Sequence, residues 1–495
     1  MNKRYILIPI LAGLLAGGCK KSFLDLNPET VISGSAFYKN ETELQQAVNG
    51  AYSILQPLAN ESYWIFGEMR SDNTWFQYNK EDRGREQWEF VDEFLVPATA
   101  ECISNFWKNS YIGISRSNDV LDNIPNVTNM TDAARNQYTG EAEFLRAFHY
   151  FNLVRQFGGV PLRLTSVQAP EGSVSKGRAT VDEVYAAIIN DLKDAAEKLP
   201  ASYSGTNVGR ATKGAASTLL GKVYLTQKNY ADALTELRKV QGYSLLPNYA
   251  DIFDPNRKNG VESIFEIQYL GSQTGLFSTF MYTFAPYTSG SYVTGDVKTS
   301  IHGSGSGWNI PTQDFISNYE PNDKRKAVSM ADGFKDADSN FVSIPYVKKY
   351  NHGFTDVGRT NDNFPVLRYA DVLLMIAECL NEQAYNAGGE AFDALNEVRV
   401  RAGLTPKTAA DLATQDAFRD AVFKERRVEL AFENHRWYDL VRSGKAVEVM
   451  TAHGIQQKAL STLIPANGYQ VNTNKLLLPI PQTDINLDNL TQNPQ

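Results

Sequence analysis

The sequence predicts a mostly α-helical fold of irregular helical hairpins that carries long aromatic-rich loops. Apolar residues recur at three- and four-residue spacing in two blocks of the 495-residue chain. Turn signals such as Gly158-Gly159 and Gly388-Gly389 separate the helical stretches. From residue 259 to about residue 363 the helical pattern fails, and glycine, serine, threonine and aromatic residues replace it. Because the repeats are irregular and interrupted, we do not expect a fixed-period solenoid.

The start of the chain predicts a secretion signal followed by a lipid attachment site. Lys3 and Arg4 precede an apolar run that ends at Ala16, well short of the ~20 apolar residues that a membrane-spanning helix needs. The small residues before Cys19 resemble a bacterial lipobox, which predicts cleavage after residue 18 and lipidation of Cys19. An ordinary signal peptide with an incidental cysteine is the alternative. We expect residues 1–18 to be the signal peptide and residues 19–35 to be the lipidated cysteine and its tether.

The length of residues 36–495 allows one large domain or several small ones, and the 42% apolar fraction of the chain is ample for a sizeable core. We expect a single domain. We divide it into a helical scaffold at 36–258 and 364–445, a loop-rich insertion at 259–363 and a C-terminal segment at 446–495. Loss of Lys3 and Arg4 changes the formal charge from −8 to −10, which does not favour nucleic acid as a partner. Cys379 lies in an apolar helical pattern, so a buried free thiol is expected there.

Each helical stretch has its own signals. Thr180 and Glu183 have capping-box spacing ahead of a helix that should run to about Leu199. Residues 212–241 form two amphipathic stretches whose sequence resembles a tetratricopeptide helix pair, with small residues where the helices approach closely. The other predicted helical blocks are 131–157, 365–402 and 415–443.

The last of these blocks contains a cluster of charged residues that admits two interpretations. Paired carboxylates beside His435 could suggest acid–base catalysis. Glu425, Glu429 and Glu433 are instead spaced four residues apart with arginines between them, which favours ion pairs on one helix face or between helices. We favour the structural interpretation. No histidine or cysteine spacing indicates a metal site, and we expect no metal and no cofactor.

Ordered segments along nearly the whole chain resemble the SusD/RagB family of Bacteroidetes outer-membrane lipoproteins. These segments are Phe23-Leu24-Asp25, Glu43 through Tyr52, Gly140 through Ala147, Phe157 through Leu162, Leu367 through Leu374, Glu425-Arg426-Arg427, and Leu478 through Pro481. The resemblance implies a mostly helical, tetratricopeptide-bearing protein at the outer membrane. It also implies a function: capture of an oligosaccharide or polysaccharide and delivery to a SusC-like TonB-dependent outer-membrane porin. The membrane attachment would be through the lipid anchor, with the protein facing the cell exterior.

Two aromatic-rich regions, at 63–107 and within 259–363, suit such a ligand. Sugar rings have apolar faces and hydroxyl edges, so a binding surface needs flat aromatic side chains beside short polar ones. The family habit of placing its site on such loops, together with local composition, selects the ligand-binding candidates Asp72, Asn73, Trp75, Tyr78, Tyr287, Tyr292 and Trp308. The alternative for each aromatic is that it fills the loop core, and for Trp107 we favour the core.

Two other functions stay open at this point. A lipid-anchored glycoside hydrolase would need two carboxylates about 5 to 9.5 Å apart across a cleft. A lid protein for non-carbohydrate cargo, such as peptides, would share the same scaffold. We expect a binding protein and not an enzyme.

Overall fold

The computed structural model describes residues 38–77, 86–166, 177–295, 305–356 and 358–495. The predicted signal peptide, the whole tether region at 19–35 including Cys19, and Tyr78 lie outside the described residues. Within the described ranges, no helix combines the length and the apolar character that crossing a membrane requires.

The first half of the fold is helical, and polar side chains fix where its helices begin. Asn40, Thr131 and Thr212 each accept a hydrogen bond from a backbone N–H of the first turn, and Thr180 and Glu183 form the predicted capping box. The helices are α1 (Glu41–Ser53), α2 (Leu55–Leu58), α3 (Glu86–Asp92), α4 (Glu101–Asn123), α5 (Asp132–Phe157), α6 (Val181–Lys198), α7 (Lys213–Thr226) and α8 (Tyr230–Leu237). Two π-helical turns, Ala59–Tyr63 and Ile65–Met69, follow α2.

The second helical block follows the insertion. Its helices are α13 (Tyr369–Gln383), α14 (Glu390–Arg401), α15 (Gln415–Glu429), α16 (Arg436–Arg442), α17 (Ala446–Leu460) and α18 (Gln482–Asp488). Helix α17 lies in the segment after residue 445 that the sequence left without an assigned helix. The expectation of helix from residue 365 is wrong at its start, because Phe364–Arg368 is a strand whose five residues are all buried. A short apolar run of this length has no periodicity that separates strand from buried helix.

The pair α7 and α8 is the predicted tetratricopeptide-like hairpin, and α8 packs in turn on α13. Gly221 of α7 is the point of closest approach. A Cβ built there would lie 2.7 Å from Cγ of Leu237 in α8. The small residue therefore sets the spacing of the two helices.

The insertion contains short helices and two-stranded antiparallel pairings. Its helices are α9 (Phe280–Phe284), α10 (Ser291–Thr294), α11 (Gln313–Ile316) and α12 (Lys326–Ser329). The strands of the whole chain are β1 (Thr74–Trp75), β2 (Ser263–Ile267), β3 (Ile310–Pro311), β4 (Met330–Ala331), β5 (Phe334–Lys335), β6 (Phe341–Val342), β7 (Tyr346–Val347), β8 (Phe354–Asp356), β9 (Arg359–Thr360) and β10 (Phe364–Arg368). They pair as β1 with β3, β2 with β10, β4 with β7, β5 with β6, and β8 with β9.

The main core lies where α4, α5, α6 and α7 pack against the β2–β10 pair. Phe144, Phe148 and Phe151, the aromatic stripe of α5, are fully buried there. Trp107 and Cys379 are buried as predicted. Buried residues of the insertion, among them Phe280, Phe284 and Tyr350, belong to the same core, so the insertion packs directly on the scaffold.

Candidate functional site

The two aromatic-rich regions, far apart in sequence, meet along a short antiparallel ladder. Thr74 of β1 pairs with Pro311 of β3, and Trp75 pairs with Ile310. The ladder continues on both sides, because the N–H of Thr312 donates to the carbonyl of Asn73 and the N–H of Gln77 donates to that of Gly307, each at 2.9 Å. Residues 72–77 therefore hold residues 307–312 in a fixed register.

The consecutive aromatic residues Trp75 and Phe76 at the end of β1 differ in their contacts with Trp308. Phe76 lies beside Trp308, with nearly parallel rings whose centroids are 6.2 Å apart. Trp75 lines a different, small pocket together with Leu460, Leu463 and Tyr469, and Phe76 also borders that pocket. Of these two neighbours, Phe76 is the one whose ring packs on Trp308. Trp75 lies outside the Trp308 cluster.

Trp308 is held by its backbone and by three other rings. Gly307 has a φ of +72°, and its N–H donates to the carbonyl of Ala285, while the N–H of Trp308 donates to the carbonyl of Thr283. The Trp308 ring packs edge to face on Trp88 at 4.3 Å and lies nearly parallel to Trp64 at 6.3 Å. Such aromatic pairs restrict ring orientation. Trp308 is only partly buried, so part of its ring stays accessible.

A cleft of about 640 Å³ opens beside this cluster, and we call it the Trp88–Trp308 cleft. Its size falls within the range of about 300–1,000 Å³ that is common for small-molecule sites. The lining combines aromatic rings with neutral polar side chains and two carboxylates. The lining residues are Gln56, Pro57, Asn60, Glu61, Trp88, Glu101, Cys102, Asn105, Gly275, Phe277, Thr279, Thr283 and Trp308.

The first π-helical turn supplies one wall of the cleft. Asn60 lies in this turn, and its Nδ2 donates to the carbonyl of Phe277 at 3.1 Å while its Oδ1 accepts from the N–H of Thr279 at 3.3 Å. The indole N–H of Trp64 donates to the carbonyl of Asn60. Segments of π-helix are rare and frequently occur at functional sites. Here the turn joins the insertion to the scaffold through one asparagine.

This arrangement can bind a flat, partly apolar molecule with polar edges. The accessible part of Trp308 and the Phe277 side chain offer apolar surface, and the amides, hydroxyls and carboxylates of the walls offer hydrogen-bond partners. A more apolar pocket of about 440 Å³ lies between α4 and α18; its aromatic residues are Trp107, which is only 4% exposed, and Tyr111, which is partly buried and donates its hydroxyl to the carbonyl of Pro161. The Trp88–Trp308 cleft differs in presenting a partly exposed tryptophan for ring stacking.

Two of the predicted ligand contacts, Asp72 and Asn73, are corrected by the structure. Asp72 is 4% exposed, and its carboxylate accepts from Nε and Nη2 of Arg436 at 2.7 and 2.8 Å. Asn73 is fully buried, with Oδ1 accepting from Arg427 and Nδ2 donating to Glu68. Internal partners already occupy both side chains, so neither is available to a ligand.

The other predicted ligand-binding residues do not lie together in the structure. Trp308 lines the cleft. Tyr287 lies next to Gly307 and its N–H donates to Gln77 Oε1, yet its side chain does not line the cleft. Tyr292 is 45% exposed on α10, and Trp75 faces the other pocket. Tyr78 lies outside the described residues.

Sequence reasoning missed several residues of the cleft. Trp88 and Phe277 stood in the two aromatic-rich regions, at 63–107 and within 259–363, but were not selected. Asn60, Glu61 and Glu101 carry no local signal, because their position in the cleft follows from packing between distant segments.

The charge cluster of α15 is a buried ion-pair network, as the helical spacing predicted. Glu429 is fully buried and accepts from Arg325 at 2.9 Å, from Arg368 at 2.5 Å and from Arg401. Although burial raises the pKa of a carboxyl, these arginines hold the pKa of Glu429 well below its usual range. Every carboxylate oxygen of Glu429 has an arginine partner and the group is away from the cleft. The network therefore stabilises the fold and offers no free acid or base.

The described residues contain no group of three or more histidine, cysteine, aspartate or glutamate side chains arranged to hold a metal ion. His149 and His453 are buried, and burial lowers the pKa of each, to about 3 and about 4 respectively. These two imidazoles are neutral packing groups at physiological pH.

Two family profiles match the chain. The one described as SusD family matches residues 333–495, and the one described as starch-binding associating with outer membrane matches residues 22–225. SusD-like protein P25 of Formosa agariphila is 29% identical over 513 residues, which cover 94% of each chain. The starch-binding protein SusD of Bacteroides thetaiotaomicron is 26% identical, and the match covers 74% of each chain.

Solved structures share the fold. A laminarin binding SusD-like protein superimposes with a TM-score of 0.76 at 28% identity, over 92% of this chain and 100% of that one. Surface glycan-binding protein A from Bacteroides thetaiotaomicron, in complex with laminarihexaose, gives a TM-score of 0.75 at 25% identity, over 91% of this chain and 99% of that one. The matched profiles, the relatives and the helical architecture agree. The chain belongs to the SusD/RagB family.

Proposed function

We propose that this protein is a non-catalytic, cell-surface glycan-binding lipoprotein that captures oligosaccharide in the Trp88–Trp308 cleft. The observation that carries the proposal is Trp308 itself. Its ring is fixed by three aromatic neighbours, partly exposed, and placed in a cleft whose other walls carry amides, hydroxyls and carboxylates. A rigid platform of this kind loses little conformational entropy when a sugar ring stacks on it.

The relatives support a glycan as the ligand. Those with at least 25% identity include proteins described as binding laminarin, laminarihexaose or starch. We propose that the captured glycan passes to a SusC-like TonB-dependent porin in the outer membrane. Lipidation at Cys19 would hold the protein at that membrane, facing the cell exterior.

The proposal is tested by replacing each of two tryptophans. Trp308→Ala removes the platform, whereas Trp75→Ala removes a ring of the same kind that lines a different pocket. After a glycan array of residues 20–495 has identified a bound polysaccharide, titration calorimetry measures Kd for both variants at a temperature where both are folded. We expect Trp308→Ala to weaken binding by about 2 kcal/mol, roughly 30-fold in Kd. Trp75→Ala should bind like the wild type.

Equal weakening by both substitutions, or no weakening by Trp308→Ala, would place the site elsewhere. Trp308→Ala should also lower thermal stability, because the ring packs on Trp64, Trp88 and Phe76. Circular dichroism therefore accompanies each titration to separate lost binding from lost folding.

The hydrolase alternative is tested in the same cleft. Glu61 and Glu101 are the carboxylates among its described lining residues, and a hydrolase would need a pair of this kind. We expect no release of reducing ends from any bound glycan. Release that Glu61→Gln or Glu101→Gln abolishes would overturn the binding-only proposal.

A further inference from the structure

A second pocket of about 260 Å³ adjoins the Trp88–Trp308 cleft, and we call it the Tyr52 pocket. It lies between α1, the turn Gly205–Asn207 and strand β2. Its described lining is Asn49, Tyr52, Ser53, Leu55, Gln56, Thr206, Val208, Gly209, Arg210, Phe265, Glu266, Ile267, Gln268 and Leu276. Its volume is below the range of about 300–1,000 Å³ that is usual for a complete small-ligand site, so alone it suits a subsite.

Two features make the pocket continuous with the cleft. Gln56 lines both of them. Of the consecutive residues 275–277, Gly275 and Phe277 line the cleft and Leu276 lines the Tyr52 pocket. Residues 275–277 form the boundary between them, and a Cβ at Gly275 would meet no atom within 4 Å. The space beside this glycine leaves room for an elongated ligand to reach from one to the other.

Gln56 is fixed at the junction. Its Nε2 donates to the carbonyl of Gln268 at 2.8 Å, and its own carbonyl accepts from the hydroxyl of Tyr269 at 2.9 Å. No donor from the described residues reaches its Oε1. A held amide with a spare acceptor on the path of the ligand suits a sugar hydroxyl, which is a donor.

The Tyr52 pocket repeats the chemistry of the cleft on a smaller scale. The Tyr52 ring is kept in place because its hydroxyl accepts from the N–H of Ala211 at 2.9 Å. Val208, 45% exposed, adds apolar surface, and Thr206 adds a hydroxyl with no partner among the described residues. The Arg210 guanidinium is neutralised by Glu141 at 2.8 Å, so the pocket has no uncompensated cation that would require an anionic ligand.

We propose that the Tyr52 pocket is a second subsite, which binds the distal sugar units of a glycan chain whose other end stacks on Trp308. The inference rests on the proposed function and adds to it a ligand class: a linear, uncharged oligosaccharide long enough to span the boundary at Gly275. Two linked contacts on one chain raise the affinity above that of either alone. Affinity should therefore rise with chain length until both pockets are filled.

The test blocks the Tyr52 pocket without touching the cleft. Val208→Trp places a bulky ring in the pocket, and Thr206→Trp does so from another exposed position, in case one variant folds poorly. Val261→Trp is the matched control, since Val261 is 46% exposed and lines neither pocket. Titration calorimetry measures Kd for laminari- and malto-oligosaccharides of two to seven units, with circular dichroism as the check on folding.

For the wild type and for Val261→Trp we expect the longer members of the binding series to bind roughly tenfold more tightly than the shortest. Val208→Trp and Thr206→Trp should lose that gain and keep the affinity for the shortest member. Identical length dependence in all four proteins would overturn the second subsite and leave the proposed function standing. If neither oligosaccharide series binds, and no polysaccharide on the array binds, the proposed function and the inference are overturned together.

Discussion

Glu68 shows how a single buried side chain can make stability depend on pH. It is fully buried, its Oε1 accepts from Asn73 Nδ2 at 2.8 Å and from the N–H of Phe432 at 2.9 Å, and its Oε2 has no partner among the described residues. Burial raises the pKa of Glu68 to about 7. The folded state therefore holds a proton that the unfolded state releases near its ordinary value of 4.5.

The sign of the effect follows from proton binding. Between about pH 4.5 and 7 the folded state binds more protons than the unfolded state at this residue, so its contribution to stability falls as the pH rises, by up to roughly 3 kcal/mol. Glu68→Gln cannot titrate. Any change that the new amide makes to the free energy of unfolding is the same at every pH, so it does not contribute to the pH dependence.

We predict that the wild type loses up to roughly 3 kcal/mol relative to Glu68→Gln between pH 5 and pH 8. Urea unfolding of both proteins at the two pH values gives the difference directly. A difference between the two proteins that does not change with pH would show that Glu68 is ionised in both states.

At the same scale, Glu429 of α15 offers no free acid or base. The arginines around Glu429 leave its carboxylate no spare acceptor geometry, and their attraction outweighs the cost of burying the charge. Spacing within α15 predicted ion pairing correctly, but all three arginine partners of Glu429, namely Arg325, Arg368 and Arg401, lie outside α15 and could not be identified from that spacing.

At the scale of elements, the close approach of α7 and α8 depends on Gly221. A Cβ there would lie 2.7 Å from Cγ of Leu237, which is closer than any ordinary contact. Gly50, near the end of α1, has no atom within 4 Å of the same position. Both glycines lie within helices, and they differ in the space that the surrounding packing leaves for a Cβ.

We predict opposite effects of the same substitution at these two sites. Gly50→Ala should stabilise the protein by about 0.5–1 kcal/mol, since alanine is the better helix former. Gly221→Ala should destabilise it by about 1–3 kcal/mol, because overpacking outweighs the gain in helix propensity. Midpoints of urea unfolding measure both. Stabilisation by both substitutions would mean that Leu237 moves aside at no cost.

Helix starts were predictable because capping is local. Thr180 and Glu183 are three residues apart and bond to each other's backbone, so the sequence alone contains the whole motif. Strand β10 was missed because it is defined by its pairing with β2, about 100 residues earlier. The information for that strand lies in a non-local partner.

At the scale of the whole molecule, the proposed anchor determines where the cleft operates. We predict that Cys19→Ala abolishes labelled palmitate incorporation and shifts the full-length protein out of the membrane fraction of a Bacteroidetes host. Ser22→Ala, three residues further along the chain, is the control and should behave like the wild type. Membrane retention of Cys19→Ala without label would show that another feature attaches the protein.

An anchored capture protein does not need tight binding. A porin beside it would offer the released glycan a second contact at high effective concentration, so modest affinity at each site suffices. Sub-nanomolar Kd for the isolated residues 20–495 would argue against this arrangement, because a capture protein must also release its cargo.

The sequence by itself determined the helical class, the capped helix starts and the tetratricopeptide-like hairpin, because these depend on spacings of three or four residues. Only the tertiary structure decided which aromatic residues form a site. Trp75 and Trp308 are equivalent candidates in sequence, and Asp72 and Asn73 are typical ligand contacts in composition. Tertiary packing places Trp308 in the cleft and Trp75 outside it, and arginines from α15 and α16 occupy Asp72 and Asn73. These outcomes depend on contacts between residues hundreds of positions apart, which no local pattern contains.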